Sequence, residues 1–99
     1  MKPKNASPSC ANKLKVLSDS TRLAVLETLM TGPHNVGKLM EELHVEQSLL
    51  SHHLSILREN GFVEATREGK TMVYQLPEDV SDSTAGKAIN LGCCKISFD

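Results

Sequence analysis

Three thiols are the residues of this chain best suited to chemistry: Cys10 near its start, and the adjacent pair Cys93 and Cys94 near its end. Thiolates are soft donors that hold soft ions, and they also oxidise to disulfides. An odd number of cysteines argues for free thiols, metal ligands or a redox centre rather than a structural disulfide framework. On a regular helix, neighbours such as Cys93 and Cys94 would point about 100° apart. Gly92 precedes them, so the chain there need not be helical and both sulfurs can turn towards one ion. The expected ligand set is Cys10, Cys93 and Cys94. Each thiol also has a plainer reading: Cys10 as a small apolar residue on a helix, and the pair as incidental or redox-active.

A second group of residues suits recognition rather than coordination. Leu50, Leu54 and Leu57 recur at helical spacing and define a buried stripe. Ser48, Ser51, His52 and Ser55 form a polar stripe displaced around the same helix. A merely solvated face would carry Lys and Glu. Small hydroxyls and one imidazole instead let the helix axis come close to another surface, as base edges in a major groove require. Gln47 stands at the N-terminal end, where recognition helices meet bases and phosphates. Arg58 lies further along, within reach of a phosphate. Arg67 and Lys70 flank a glycine turn and extend the basic reach to the neighbouring backbone or minor groove. The expected DNA contacts are Gln47, Ser48, Ser51, His52, Arg67 and Lys70.

These residues need a frame. Residues 1–7 read as a disordered arm, and Ser7-Pro8 as a cap opening a helix that buries Leu14 and Leu17. Asp19 caps a second helix carrying Leu23, Leu26, Leu29 and Met30, ended by Gly32-Pro33. Asn35 caps a short third helix through Leu43. A fourth follows from about Gln47 to Asn60, with Asn60-Gly61 as its stop. Residues 62–66 and 71–76 are rich in β-branched and aromatic residues, and Arg67-Glu68-Gly69-Lys70 turns between them. Pro77 ends the hairpin. Residues 79–91 are expected to form a last helix carrying Ala85, Ala88, Ile89 and Leu91, after which Gly92 releases a flexible, cysteine-bearing tail. A short helix, a tight turn, a longer helix and then a hairpin predict a winged helix-turn-helix. The fold class is mainly α with a β-hairpin wing, in the order α-α-α-α-β-β-α, as a single domain over 1–99.

Composition bounds the class. Ninety-nine residues make one domain, and a chain this short buries roughly 65% of its unfolded surface. With no Trp, one Tyr and two Phe, its core gains from burying more surface in a dimer. The net charge of −1 says nothing for nucleic acid, but Lys2, Lys4, Lys13 and Lys15 all precede the first acidic residue, Asp19. No apolar run is long enough to span a bilayer and no signal segment opens the chain, so a cytoplasmic location is expected. No nucleophile–base pair or phosphate-binding glycine loop points to an enzyme. A winged module that binds protein rather than DNA is the runner-up of a different class. It would lack the steep salt dependence of a DNA binder.

The stretches LSDSTRLAVLETL (17–29) and SLLSHHLSILRENGFVEATREGKTMVYQL (48–76), with their spacing, resemble the ArsR/SmtB family of metal- and metalloid-responsive repressors. The resemblance covers about 60 of the 99 residues. It implies a homodimer built from the first and last helices, which binds an imperfect operator palindrome and leaves it when an inducer binds. DNA binding itself needs no cofactor. One departure is Glu46, where the family often has a serine cap. Glutamate caps poorly and sets a negative charge near the DNA.

Two sensing sites of that family are missing. Its Cys-Val-Cys motif would fall at Asn35, Val36 and Gly37, and no histidine follows His53 to complete a zinc site on a last helix. What remains is the three thiols, whose number matches the trigonal-pyramidal preference of As(III). Arsenite is therefore the leading inducer, with antimonite acting alike. Cd(II), Pb(II), Cu(I), Zn(II) or thiol oxidation through the same cysteines are the alternatives. His34, His44 and His53 read as structural or solvent-facing.

Overall fold

The computed structural model describes residues 8–82 and 87–98, so the expected arm and the Ser7 cap lie outside the described residues. Within them, capping side chains decide where helices begin. The first helix, α1, spans Pro8–Leu17. Asp19 is extended, and its carboxylate accepts the Arg22 N–H at 3.0 Å to open α2 (Ser20–Leu29). Asn35 does the same for α3 (Val36–Leu43), accepting the Lys38 N–H at 2.8 Å. His44, at φ 54°, ends α3 in the left-handed region. The fourth helix, α4 (Gln47–Glu59), stops at Asn60, and Gly61 at φ 80° turns the chain away.

The leucine stripe of α4 is the centre of the core. Leu50, Leu54 and Leu57 are each at most 1% exposed and pack with Val25, Leu26 and Leu29 of α2 and Leu39 of α3. Among the described side chains of α1, Leu17 is buried and Val16 partly so. Leu14, expected beside Leu17, is 44% exposed. The inward face of α1 is instead Cys10, Lys13 and Leu17, at i, i+3 and i+7.

The wing is an antiparallel sheet of β1 (His34–Asn35), β2 (Glu64–Glu68) and β3 (Thr71–Gln75), in the order β1-β3-β2. Glu68 pairs with Thr71, so the turn is Gly69-Lys70, with Gly69 at φ 62°. β2 begins two residues later than the expected 62. Phe62 and Val63, each 2% exposed, plug the core and are not free to run along the wing. Arg67 thereby moves from the turn into β2, opposite Met72. Four helices and this hairpin make a winged helix-turn-helix.

The end of the chain departs from the expected helix at 79–91. Described residues there form a second antiparallel sheet of β4 (Ser81–Asp82), β5 (Ala88–Asn90) and β6 (Lys95–Ser97), in the order β4-β5-β6. Ala85 lies outside the described residues. The apolar spacing at Ala85, Ala88, Ile89 and Leu91 suits a helix, but Ser81-Asp82-Ser83-Thr84 and Gly86 are poor helix formers. Packing decides between them: Val80, Ala88, Ile89 and Leu91 are buried as parts of the sheet. Nor does Gly92 release a flexible tail. At φ 90° it turns β5 into β6, with the Leu91 N–H donating to the Cys94 carbonyl at 2.8 Å. Ile89 is wholly buried and faces Ile96 across the sheet. Ile89→Ala is expected to cost about 2–5 kcal/mol in urea denaturation. A loss within about 0.5 kcal/mol, as for a surface site, would mean that this sheet is not part of the core.

Candidate nucleic-acid interface and sulfur cluster

The exposed face of α4 carries Gln47, Ser48, Ser51, His52 and Ser55, all open to solvent. Gln47 and Ser51 line a groove of about 460 Å³ together with Lys70 of the wing turn. The rest of its wall is Asn35, Val36 and Gly37 at the start of α3, and Thr71, Met72 and Tyr74 of β3. Sequence reasoning missed those six; Tyr74 pairing with His34 across the sheet is what brings the wing against α3. His52 and Arg67 are exposed outside this groove. The three histidines read as structural have partners or special backbone. His34 bridges the Gly32 carbonyl and Glu42, His44 is the left-handed cap of α3, and His53 is buried.

Glu46 overturns the expectation that it caps poorly. Its carboxylate accepts the Leu49 N–H at 2.9 Å and thereby closes the first turn of α4. Both of its oxygens also lie 2.6 Å from the Ser48 hydroxyl, which donates its one proton to them. The Ser48 hydroxyl, and then the Leu49 N–H, hold Glu46 below the usual carboxylate range. Ser48 therefore faces outward with its donor spent and only lone pairs left to offer a base or phosphate.

The turn between β5 and β6 brings the thiols together. Cys10 of α1 and Cys93 are joined as a disulfide, with Cα atoms 6.0 Å apart. Cys94 is outside the disulfide, and its sulfur lies within 4.8 Å of both the others. The Asn90 side chain shapes this turn by accepting the Gly92 N–H at 2.8 Å. Beside it, the Lys13 ammonium donates to the Leu91 carbonyl at 2.9 Å. The sheet that replaced the expected helix is thus what presents adjacent cysteines to one point, because both belong to a turn and its end rather than to a helical ladder. The same three sulfurs can hold a soft ion when reduced, or close a bond when oxidised.

Comparison with known proteins bears on both sites. The pattern described as "Bacterial regulatory protein, arsR family" matches residues 19–65. The biofilm growth-associated repressor of Xylella fastidiosa is 43% identical over 68 residues, 69% of this chain and 60% of that protein. The crystal structure of the transcriptional repressor BigR from Xylella fastidiosa superposes with a TM-score of 0.66 at 42% identity, over 70% of each chain. The chain belongs to the ArsR family. The chain is also similar to the arsenical resistance operon repressor of Staphylococcus aureus, 38% identical over 70% of this chain and 66% of that one, and to a winged helix-turn-helix fragment from Mycobacterium bovis, described as homodimeric and a possible ArsR-family regulator. The fragment has a TM-score of 0.65 at 29% identity, over 69% of this chain and 63% of the fragment. This ArsR-family chain spans about three fifths of the length of the curated repressors it matches.

The matched family is one of bacterial regulatory proteins, regulatory rather than enzymatic in kind. The family resemblance implies an interface from first and last helices, and the structure does not bear out the last of these. Among the described residues no helix follows α4, and the β4-β5-β6 sheet stands in its place. No helix of the described residues is long and apolar enough to cross a membrane. The capping role of Glu46 is open to a direct check. Its folded value is depressed, so its contribution is complete above the ordinary glutamate range and fades as pH falls through the lower folded value. Glu46→Ala is expected to unfold at lower temperature than the parent at pH 7, with the gap closing in acid. A gap that persists unchanged at low pH would assign the loss to something other than the carboxylate.

Proposed function

We propose that this chain is a homodimeric repressor that holds operator DNA in its reduced state and leaves it when arsenite binds Cys10, Cys93 and Cys94. The observation that carries the inducer is the three-sulfur cluster, all ligand atoms within 4.8 Å of one another. Arsenous acid exchanges its three hydroxyls for three thiol sulfurs, each thiol proton leaving with a hydroxyl as water, three waters in all. Arsenic stays trivalent, so no electrons move, and the reaction runs from the form in which the Cys10–Cys93 bond is open. That form suits a reducing cytoplasm, where we place the protein. The name of the S. aureus relative, an arsenical resistance repressor, agrees with this choice.

On the DNA side, Gln47, Ser51 and His52 meet base edges in the major groove, Ser48 accepts rather than donates, and Arg67 and Lys70 hold phosphates. A second protomer supplies the other half-site of an imperfect palindrome, one or two helical turns away. Support for the dimer is Leu14, large, apolar and exposed on α1, and the homodimeric M. bovis relative.

A second reading rests on the Cys10–Cys93 disulfide itself. Here an oxidant takes two electrons and two protons from the thiols, and closure of that bond releases the DNA. A soft ion such as Cd(II), Pb(II), Cu(I) or Zn(II) would use the same donors as arsenite. Titrating the fully reduced protein on its upstream DNA separates these signals. Arsenite is expected to weaken binding on the order of tenfold or more, and Cys93→Ser or Cys94→Ser to abolish that response. Release by oxidant alone would favour the disulfide, and full release in both serine variants would remove the cysteines from sensing.

A further inference from the structure

Arg22 stands in the first turn of α2. Its side chain makes two bonds in opposite directions. Nε donates to the Val16 carbonyl near the end of α1 at 2.6 Å, and Nη1 lies 3.0 Å from His53 Nδ1 in the middle of α4. Its backbone N–H is held by the Asp19 carboxylate, so the stem is anchored as well as the head. A guanidinium has only donors. His53 Nδ1 is therefore the acceptor in this contact, and a neutral imidazole there carries its proton on Nε2. His53 is 7% exposed, the one buried polar side chain among the described residues.

This places a rigid, planar fork across the junction of three helices. α1 carries Cys10 in its first turn and Val16 in its last, and ten helical residues behave as a rod about 15 Å long. Any change at the cysteines that shifts α1 shifts the Val16 carbonyl with it. Nε and Nη1 lie in one plane, so the fork cannot follow that carbonyl without moving against His53. The ring of His53 sits 5.7 Å from that of His52, the residue at the outer face of the same helix.

We propose that Arg22 and His53 are positioning residues that transmit the state of the sulfur cluster to the DNA-reading face of α4. The inference rests on the reading that the signal arrives at the cysteines. Neither residue touches DNA or inducer; each acts through the helix it ties.

The test measures a ratio, operator affinity without effector over affinity with it, so that changes in basal affinity cancel. Two effectors are used on the full chain: arsenite on the reduced protein, and diamide to close the Cys10–Cys93 bond. Arsenite binding is followed separately by its sulfur-to-arsenic ultraviolet band. For the parent the ratio is expected in the range of about 5–150 with at least one effector. Arg22→Met and His53→Leu should bring it below about 2 while the ultraviolet band and the disulfide still form. Arg22→Lys keeps the charge without the fork and should behave as Arg22→Met. His53→Gln restores an acceptor and should recover most of the ratio. Unfolding midpoints are recorded alongside; should Arg22→Met not fold, Arg22→Lys and the His53 pair carry the test.

A full parental ratio in Arg22→Lys and His53→Leu overturns the inference alone. An equal loss in His53→Gln and His53→Leu does so too, since packing rather than the hydrogen bond would then be responsible. A parent that responds to neither effector overturns the sensing reading and this inference together.

Discussion

The proposed sensing depends on where α1 is held, since that helix carries Cys10. Its inward face has one leucine, one lysine and one cysteine, and all three are tied: Leu17 into the core, Lys13 to the Leu91 carbonyl, and Cys10 to Cys93. Two of the three ties go to the C-terminal sheet, and the covalent one is chemically reversible. On its own side α1 is otherwise anchored by the partly buried Val16, whose carbonyl takes the Arg22 bond. Breaking a sulfur bond or inserting an ion at Cys10 therefore changes a large share of what fixes its position. The rest of the fold is built not to move: α2, α3 and α4 share a leucine core with hardly any exposed surface. The contrast between a rigid reader and a loosely tied first helix is what makes a signal at the cysteines mechanically useful.

The reader itself is arranged by polar economy. α4 turns Leu50, Leu54 and Leu57 inward and offers short polar groups outward, beside the exposed Leu49, and the Gly69-Lys70 turn brings one cation to the same groove. Glu46 adds a constraint, because the carboxylate that caps α4 also engages Ser48 and stays ionised beside that groove. The negative charge is a standing cost to phosphate binding, offset by an ordered first turn.

The helical half of the fold was legible in the sequence because its signals are local. Asp19, Asn35 and Gly61 act within one turn of where they stand, and the leucine spacing of α4 leaves a single face to bury. The polar stripe was legible for the same reason. The C-terminal sheet was not. Its apolar residues fit a helix as well as a strand, and the choice was made by partners far away in sequence, such as Lys13, 78 residues from Leu91. The Arg22 fork was likewise invisible, since it depends on where side chains of neighbouring helices come to rest, whereas the local cap by Glu46 was misjudged because glutamate is an uncommon capping residue. Which cysteines matter could be read from count and softness; that they meet at a β-turn could not.

Arsenic K-edge X-ray absorption on the reduced, arsenite-loaded protein counts the donors at the cluster without reference to DNA. Three sulfur neighbours per arsenic, falling to two when Cys10 is replaced by serine, is the result expected if α1 and the C-terminal turn close on one ion. Two sulfurs in the unaltered protein, with oxygen in the third place or no change on removing Cys10, would contradict it and detach α1 from arsenite sensing.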